Sequence, residues 1–572
     1  MTWRHALGAG VLIGALGCGS SAGESANRDS AGGPTAAPMV PGSAGSFGSP
    51  GGQAPAPSAG GGGSSGGMVP VLPPEIEVRR DFEQPQASER FVYAANPESG
   101  TVSIIDAQTL AIQTLETGDR PTFLRTLANS NDAIVLNVGS QDATVIRSPE
   151  RGIRTITAPV VRGANAIAVA PDGKHAVVYF NAGFSAAGNP QGSFQDVTVM
   201  RLDGETDDDE ISVGMTVGFR PRDVFFAADS SQAYVVTDDG ISVLDFETIE
   251  ISGSGIARLV SLGPDVDQQG FDVSVTPDGL FALTRAPGQS VVRLVNLEGG
   301  SIRNLDLAAV LPATDSGDDS DGGTAEPVPV DVTDLDLAPS GAFALAVLRG
   351  ASVVLEIPIP GGFDAASAIE THEVPGELIG SVTITPQADR ALLYTTAVDV
   401  ERITVLTLEG AAAPKTVALR KTVEAVTVAP DGRTALILHK KVAGDPLEPG
   451  IDPDQSIDRS FGYSVLRVAT GDVKLQVTPT PPGVFTIVPD GSYLFILFNS
   501  AGVREVEKIE AKSFLIDEIT LGSPPISLGS VPQSERVFVN QQHPDGRITF
   551  IDWQTGTART VTGFELNSRI QD

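Results

Sequence analysis

The chain has 572 residues, and 71 Asp and Glu against 38 Lys and Arg give it a formal net charge of -33. Such an excess repels nucleic acid phosphates and anionic headgroups, which sets a nucleic-acid partner aside, and the acidity reads first as a solvated surface. Cys18 is the single cysteine, so the chain can form neither an intramolecular disulfide nor a Cys-based zinc site.

At the amino end, MTWRH carries Arg4, the run from Ala6 to Leu16 is uncharged and apolar, and small Gly17 precedes Cys18. This pattern describes a signal peptide over residues 1–17, too short to span a bilayer as an ordinary helix. Ala15-Leu16-Gly17-Cys18 resembles the lipobox of bacterial lipoproteins, with Ala15 where Leu is usual. The resemblance implies that Cys18 is the lipid attachment point. Gly19 in place of Asp implies delivery to the outer membrane of a Gram-negative envelope. Residues 18–74 are mostly Gly, Ser, Ala and Pro and cannot repay the entropy of ordering, so a disordered tether is expected. A coil of about 55 residues reaches on the order of 40 Å. Gly62, Ser64 and Gly66 match a nucleophile-elbow pattern, but with no flanking strand or helix the match is chance.

From residue 75 to 572 the chain repeats a unit of four short strands. Its clearest marker is the turn Pro171-Asp172-Gly173, with further copies at Pro277-Asp278-Gly279, Pro430-Asp431-Gly432 and Pro489-Asp490-Gly491, and a variant at Pro339-Ser340-Gly341. Pro presets one turn dihedral, Gly accepts a positive one, and Asp bonds its own backbone, so each copy ends a strand and reverses the chain. Degenerate copies near Gln86, Ser130, Asp229, Gln387 and Gln533 bring the total to ten, spaced by roughly 42 to 62 residues. Apolar second strands (RFVYAAN, QAYVVT, RALLYTT) and alternating third strands (TVSIID, ISVLDF, ITFIDW) follow the turns.

Sheets apolar on both faces need a neighbour on each side, and a closed ring gives one to the first and last units too. The fold class expected is therefore all-β, a β-propeller of ten four-stranded antiparallel blades. Seven or eight blades, or two packed rings, are the alternatives. The first inner strand falls at Glu77 to Phe82 and the last outer strand near Ala558 to Leu566. Phe91-Val92-Tyr93-Ala94-Ala95-Asn96, Thr101-Val102-Ser103-Ile104-Ile105-Asp106 and Gly118-Asp119-Arg120-Pro121 together resemble the YVTN-type propeller repeat of bacterial surface proteins. That resemblance implies fold and surface location and leaves function open.

In propeller topology the second-to-third strand loops and the links between blades open on one face. Insertions at Gly183 to Gln195, Ala443 to Phe461 and Pro312 to Pro329 all belong there, and long loops in a compact array are commonly functional. This face carries Asp315, Asp318, Asp319 and Asp321 in one loop and Asp445, Glu448, Asp452, Asp454 and Asp458 in another, without the spacing of a calcium loop. Solvated acidic loops are the plainer expectation. Five residues before the inner turn, Asp223, Asp272 and Asp334 recur in three successive units and are expected as neighbours at the channel mouth. There they would bind a divalent cation such as calcium or a basic ligand group, or else cap strands through backbone amides.

No HExxH, histidine pair or cysteine nucleophile is present, and His175, His372, His439 and His543 read as surface or packing residues. The expectation is a non-catalytic binding or scaffold module for an envelope protein, peptide or glycan. A metal-dependent hydrolase of lactone type, resting on the Asp223, Asp272 and Asp334 row, is the alternative.

Overall fold

The computed structural model describes residues 87–564, apart from 129, 148–149, 151, 185–191, 204–211, 264–271, 287, 312–330, 350, 411, 499, 501 and 544. The expected inner strand Glu77 to Phe82, the tether and Cys18 lie outside the described residues.

Ten sheets follow one another around a ring, numbered here as blades 1 to 10 by their turns. Eight hold four antiparallel strands in chain order from the channel outward. Blade 1 shows three, Phe91–Asn96, Thr101–Asp106 and Ile112–Glu116, with a bridge from Ala87 to Val92 marking the inner position. Blade 3 has five, because Gly255–Ile256 of the fourth repeat pairs parallel with the outer strand Ser212–Thr216 of blade 3. The last outer strand is Ala558–Thr562, shorter than the expected Ala558 to Leu566. Among the described residues no helix exceeds seven residues, and none is long and apolar enough to cross a membrane.

The middle strands explain why the sheets stack. In blade 2, Ala133–Asn137 is buried at every residue, whereas the outer strand Arg154–Pro159 is mostly exposed. A strand covered on both faces must lie between two other layers. Among the described residues ten apolar clusters fill the seams, one between each successive pair of blades. The last joins Val531, Phe538, Ile548, Phe550 and Phe564 of blade 10 to Val92, Ile105 and Ala107 of blade 1, which closes the ring.

The turns carry the repeat in detail. The amides of Lys174, Leu280, Arg433 and Ser492 each donate at 2.9–3.0 Å to the Asp two residues earlier. Ser340 and Asp229 accept from Ala342 and Ser231 in the same way. The glycine position is left-handed in every clear copy, with φ of 71° at Gly173 and 67° at Gly432, and Ser230 and Ala388 hold the same conformation in degenerate ones. Each turn seats on its neighbour. A Cβ on Gly341 would stand 2.6 Å from Pro277 Cδ, Ala228 N donates to Pro277 O at 2.7 Å, and Gln533 N donates to Glu89 O at 2.8 Å from the last turn to the first.

On the opposite face, a polar residue at the end of the second strand bonds a hydroxyl on the third. Asn96 donates to Ser103, Asn137 to Thr144, Gln541 to Thr549, and His439 Nε2 meets Ser464 Oγ at 2.7 Å. In all four the hydroxyl residue opposes the position two before the polar one. The glycines of the linker pattern abut the ends of second strands: a Cβ on Gly118 would meet Asn137 Nδ2 at 2.6 Å, and one on Gly218 would clash with Thr237 Oγ1, which itself donates to Gly240 O.

Candidate functional site

The antiparallel order puts the blade links and the second-to-third strand loops at one end of every sheet. Inner strands begin there, and the aspartate row sits at those starts. Asp223 opens the strand Asp223–Phe226 of blade 4 and is exposed. Beside it, burial pulls the Arg222 guanidinium below its ordinary value, against the opposing influence of Asp223, Asp238 and Asp272. Asp272 opens Asp272–Val275 of blade 5 and is buried, with Arg285 directly across the sheet. The Arg285 Nε donates to Asp272 Oδ2 at 3.1 Å.

Asp334 is also buried and lies at a bulge in Asp331–Leu337 of blade 6. Its Oδ1 accepts from its neighbour Leu335 N at 2.8 Å, and its Oδ2 accepts from Val382 N of blade 7 at 2.7 Å. Asp336 accepts from Ile384 N at 2.7 Å in the same manner, so two carboxylates clasp two amides of the next inner strand. Charge-assisted bonds of this kind are strong for their number. The row is thus spread over three blades, with Asp272 held by an arginine and Asp334 by backbone amides. The three do not converge: among the described residues the one group of three whose ligand atoms lie within 4.8 Å of one another is Glu356, Glu370 and His372, elsewhere in blade 6.

Of the acidic loops, Asp315, Asp318, Asp319 and Asp321 lie outside the described residues. The blade 8 insertion is a folded lobe, and its acids Asp445, Glu448, Asp452 and Asp454 are exposed to solvent. Asp445 accepts from Leu447 N, and Asp452 caps the helix Pro453–Arg459 through Asp454 N, both at 2.9 Å. Arg459 donates to Glu448 at 2.6 Å, and Val442 N donates to Asp458 O at 2.9 Å.

The lobe is fastened from below by Lys421, only 1% exposed, whose Nζ donates to Ile457 O at 2.8 Å and Asp458 O at 3.0 Å. Those carbonyls end the helix, where a cation is favoured, and each also accepts a backbone amide, Ile457 O from Ser460 N and Asp458 O from Val442 N. Burial lowers the Lys421 ammonium, while Asp458 and Glu401 support it. Burial and then Asp458 raise the Glu401 carboxyl above its ordinary value. On its outer surface the lobe exposes Leu447 at 84% and Val442 at 52%. The blade 3 insertion, where described, adds Phe194 stacked 5.7 Å from Phe219, with Arg220 over that ring at 5.2 Å.

The histidines fall largely where expected. His439 is buried at the end of a second strand, His175 begins one beside Phe246, and His543 accepts from Asp545 N in a turn at 3.1 Å. His372 lies inside the outer strand Glu370–Glu373, 2.9 Å from Glu356. A groove of about 440 Å³ at the outer edge of blade 3, lined by Asp196, Met215, Thr216 and Ile256, involves none of the anticipated residues.

No family model and no curated protein matches the chain. Among solved structures, dihydro-heme d1 dehydrogenase NirN in complex with DHE aligns at 14% identity over 66% of this chain and 74% of that one, with a TM-score of 0.37. Kuenenia stuttgartiensis hydrazine synthase aligns at 12% identity over 60% and 95%, with a TM-score of 0.29. A eukaryotic initiation factor aligns at 12% identity over 74% and 94%, with a TM-score of 0.44. Likenesses this distant carry no argument about what the chain does.

Proposed function

We propose that the chain is an outer-membrane lipoprotein, anchored at Cys18, whose propeller is a non-catalytic binding or scaffold module for an envelope protein, peptide or glycan. The ligand meets the face that carries the blade links and insertions. The observation that carries this reading is the blade 8 lobe: a segment pinned by a buried lysine leaves Leu447 and Val442 exposed, with no packing among the described residues to account for them. A rigid loop presenting apolar side chains loses little entropy on binding. The hydrolase alternative draws less support, because Asp272 and Asp334 are engaged by Arg285 and by backbone amides.

Capture from envelope extract by the full chain, compared with Leu447→Asp, tests the binding face. A partner retained by the wild type and lost by the variant is expected, and identical capture by both refutes the assignment. Palmitate labelling of the wild type but not of Cys18→Ser is expected for the anchor, and labelling of neither refutes it.

A further inference from the structure

The outer half of blade 6 gathers three ligand-bearing side chains on the perimeter of the ring. Glu356, on the third strand Val353–Pro358, stands directly across from Glu370 on the outer strand Glu370–Glu373, and His372 stands across from Val354. Side chains alternate between the faces of a strand, so Glu356, Glu370 and His372 share one face. Val354, on that same face, packs with Ile379, Val382 and Ile384 of blade 7, which puts the group at the rim of the seam between blades 6 and 7. A ligand atom from each lies within 4.8 Å of the others, and His372 Nε2 is 2.9 Å from Glu356 Oε2. The side chains of Glu356 and His372 are 19% and 17% exposed, and Glu370 is exposed.

Carboxylates placed directly opposite each other on paired strands repel. A dication held between them offsets that repulsion. The donor set also selects among cations. One imidazole nitrogen with two carboxylate oxygens matches the three-ligand pattern of zinc sites that keep a coordination position open, with bonds of about 2.0–2.2 Å. Calcium, which takes about six to eight oxygens, is poorly served by it. Strand pairing fixes Glu356 and His372, and exposed Glu370 has the rotamer freedom to close on a central ion.

We propose that Glu356, Glu370 and His372 form a binding site for a first-row transition-metal dication such as Zn²⁺, with its remaining positions open to water or to a donor from another molecule. The site is separate from the binding face and independent of the reading given for it.

Calorimetric titration of the full chain with Zn²⁺ tests this, with Cys18 kept in every variant so that binding there cancels. The expected result is a saturable event in the wild type, of about one equivalent, weakened at least tenfold in His372→Asn and in Glu370→Gln. The wild-type melting temperature rises with Zn²⁺ through preferential binding to the fold, and that of each variant does not. Glu370→Gln keeps its shape at an exposed position, and an unchanged melting temperature without metal shows that it folds. No event in the wild type, or equal affinity in the wild type and Glu370→Gln, overturns the proposal.

Discussion

Replacing His439 with Asn exposes how the ring responds to acid. The imidazole is 3% exposed, with Nδ1 3.2 Å from Thr422 O and Nε2 2.7 Å from Ser464 Oγ. Burial, and secondarily the neighbouring Lys421 ammonium, push it down from an ordinary value of 6.5 to about 4. The fold therefore holds the neutral ring. As the pH drops below 6.5 the unfolded chain takes up a proton that the fold excludes, so stability falls until about pH 4. The loss is about 1.4 kcal/mol per pH unit within that window, on the order of 3 kcal/mol in all. Asn is the residue that blades 1 and 2 place in this position, bonding the equivalent hydroxyl, and it does not titrate. Denaturant midpoints measured from pH 8 to pH 4 should show the wild type losing stability relative to His439→Asn below pH 6.5. Groups away from His439, such as Glu507, are common to both proteins and cancel in the difference. Parallel curves across the range would refute the burial reasoning.

The turn geometry predicts opposite effects for two small substitutions: Gly341→Ala sets a Cβ 2.6 Å from Pro277 at φ 73° and should cost more than about 1–2 kcal/mol, while Ala388→Gly relieves φ 56° and should gain about 1 kcal/mol, both read by denaturant melts. Glu507 is buried between blades 8 and 9, where it accepts from the Tyr463 hydroxyl at 2.5 Å and burial raises its carboxyl above the ordinary value. The fold favours its protonated form, so its contribution is present at low pH and is lost as the pH rises through the ordinary carboxylate range and above. Glu507→Gln should accordingly raise the melting temperature at pH 7, with the gain shrinking toward pH 4. Asp334→Ala strips acceptors from Leu335 N and Val382 N and should destabilise by about 2–3 kcal/mol, with Asp334→Asn intermediate in the same melts.

The turns were legible in the sequence because their chemistry is local. Pro, Asp and Gly at consecutive positions determine where a strand reverses whatever the rest of the chain does, and together with their degenerate copies they number ten, as the blades do, although the count alone left seven or eight blades and two packed rings open. The partner of Asp272 was within reach of the same logic. The turn at Pro277 to Gly279 fixes the register that puts Arg285 opposite it, which turns an expected carboxylate row into one member of an ion pair. The acid-to-amide contacts of Asp334 and Asp336 depend instead on how blade 7 docks against blade 6, and no pattern within one repeat encodes that. The same holds for Glu356, Glu370 and His372. A short helix at Gly361–Asp364 and a 3-10 turn at Ala366–Ala368 intervene and set the register of the outer strand, so sequence spacing gave no hint of the cluster. The blade 8 acids are solvated as their spacing suggests, but their partners, the Leu447 and Asp454 amides and the Lys421 anchor, belong to a fold that spacing alone does not reveal.

Closure of the ring is what gives both end blades a covered face. Gln108 Nε2 donates to Gln533 O at 3.1 Å across 425 positions of sequence, at the meeting of blade 1 and blade 10. With Cys18 replaced by Ser, cysteines at 108 and 533 should be joined within one chain by a short thiol-reactive cross-linker, giving a looped product that migrates differently on a denaturing gel. A closed ten-bladed ring predicts rapid intramolecular linkage at low protein concentration. Linkage only between chains, or none, would mean that the two ends lie apart and would contradict it.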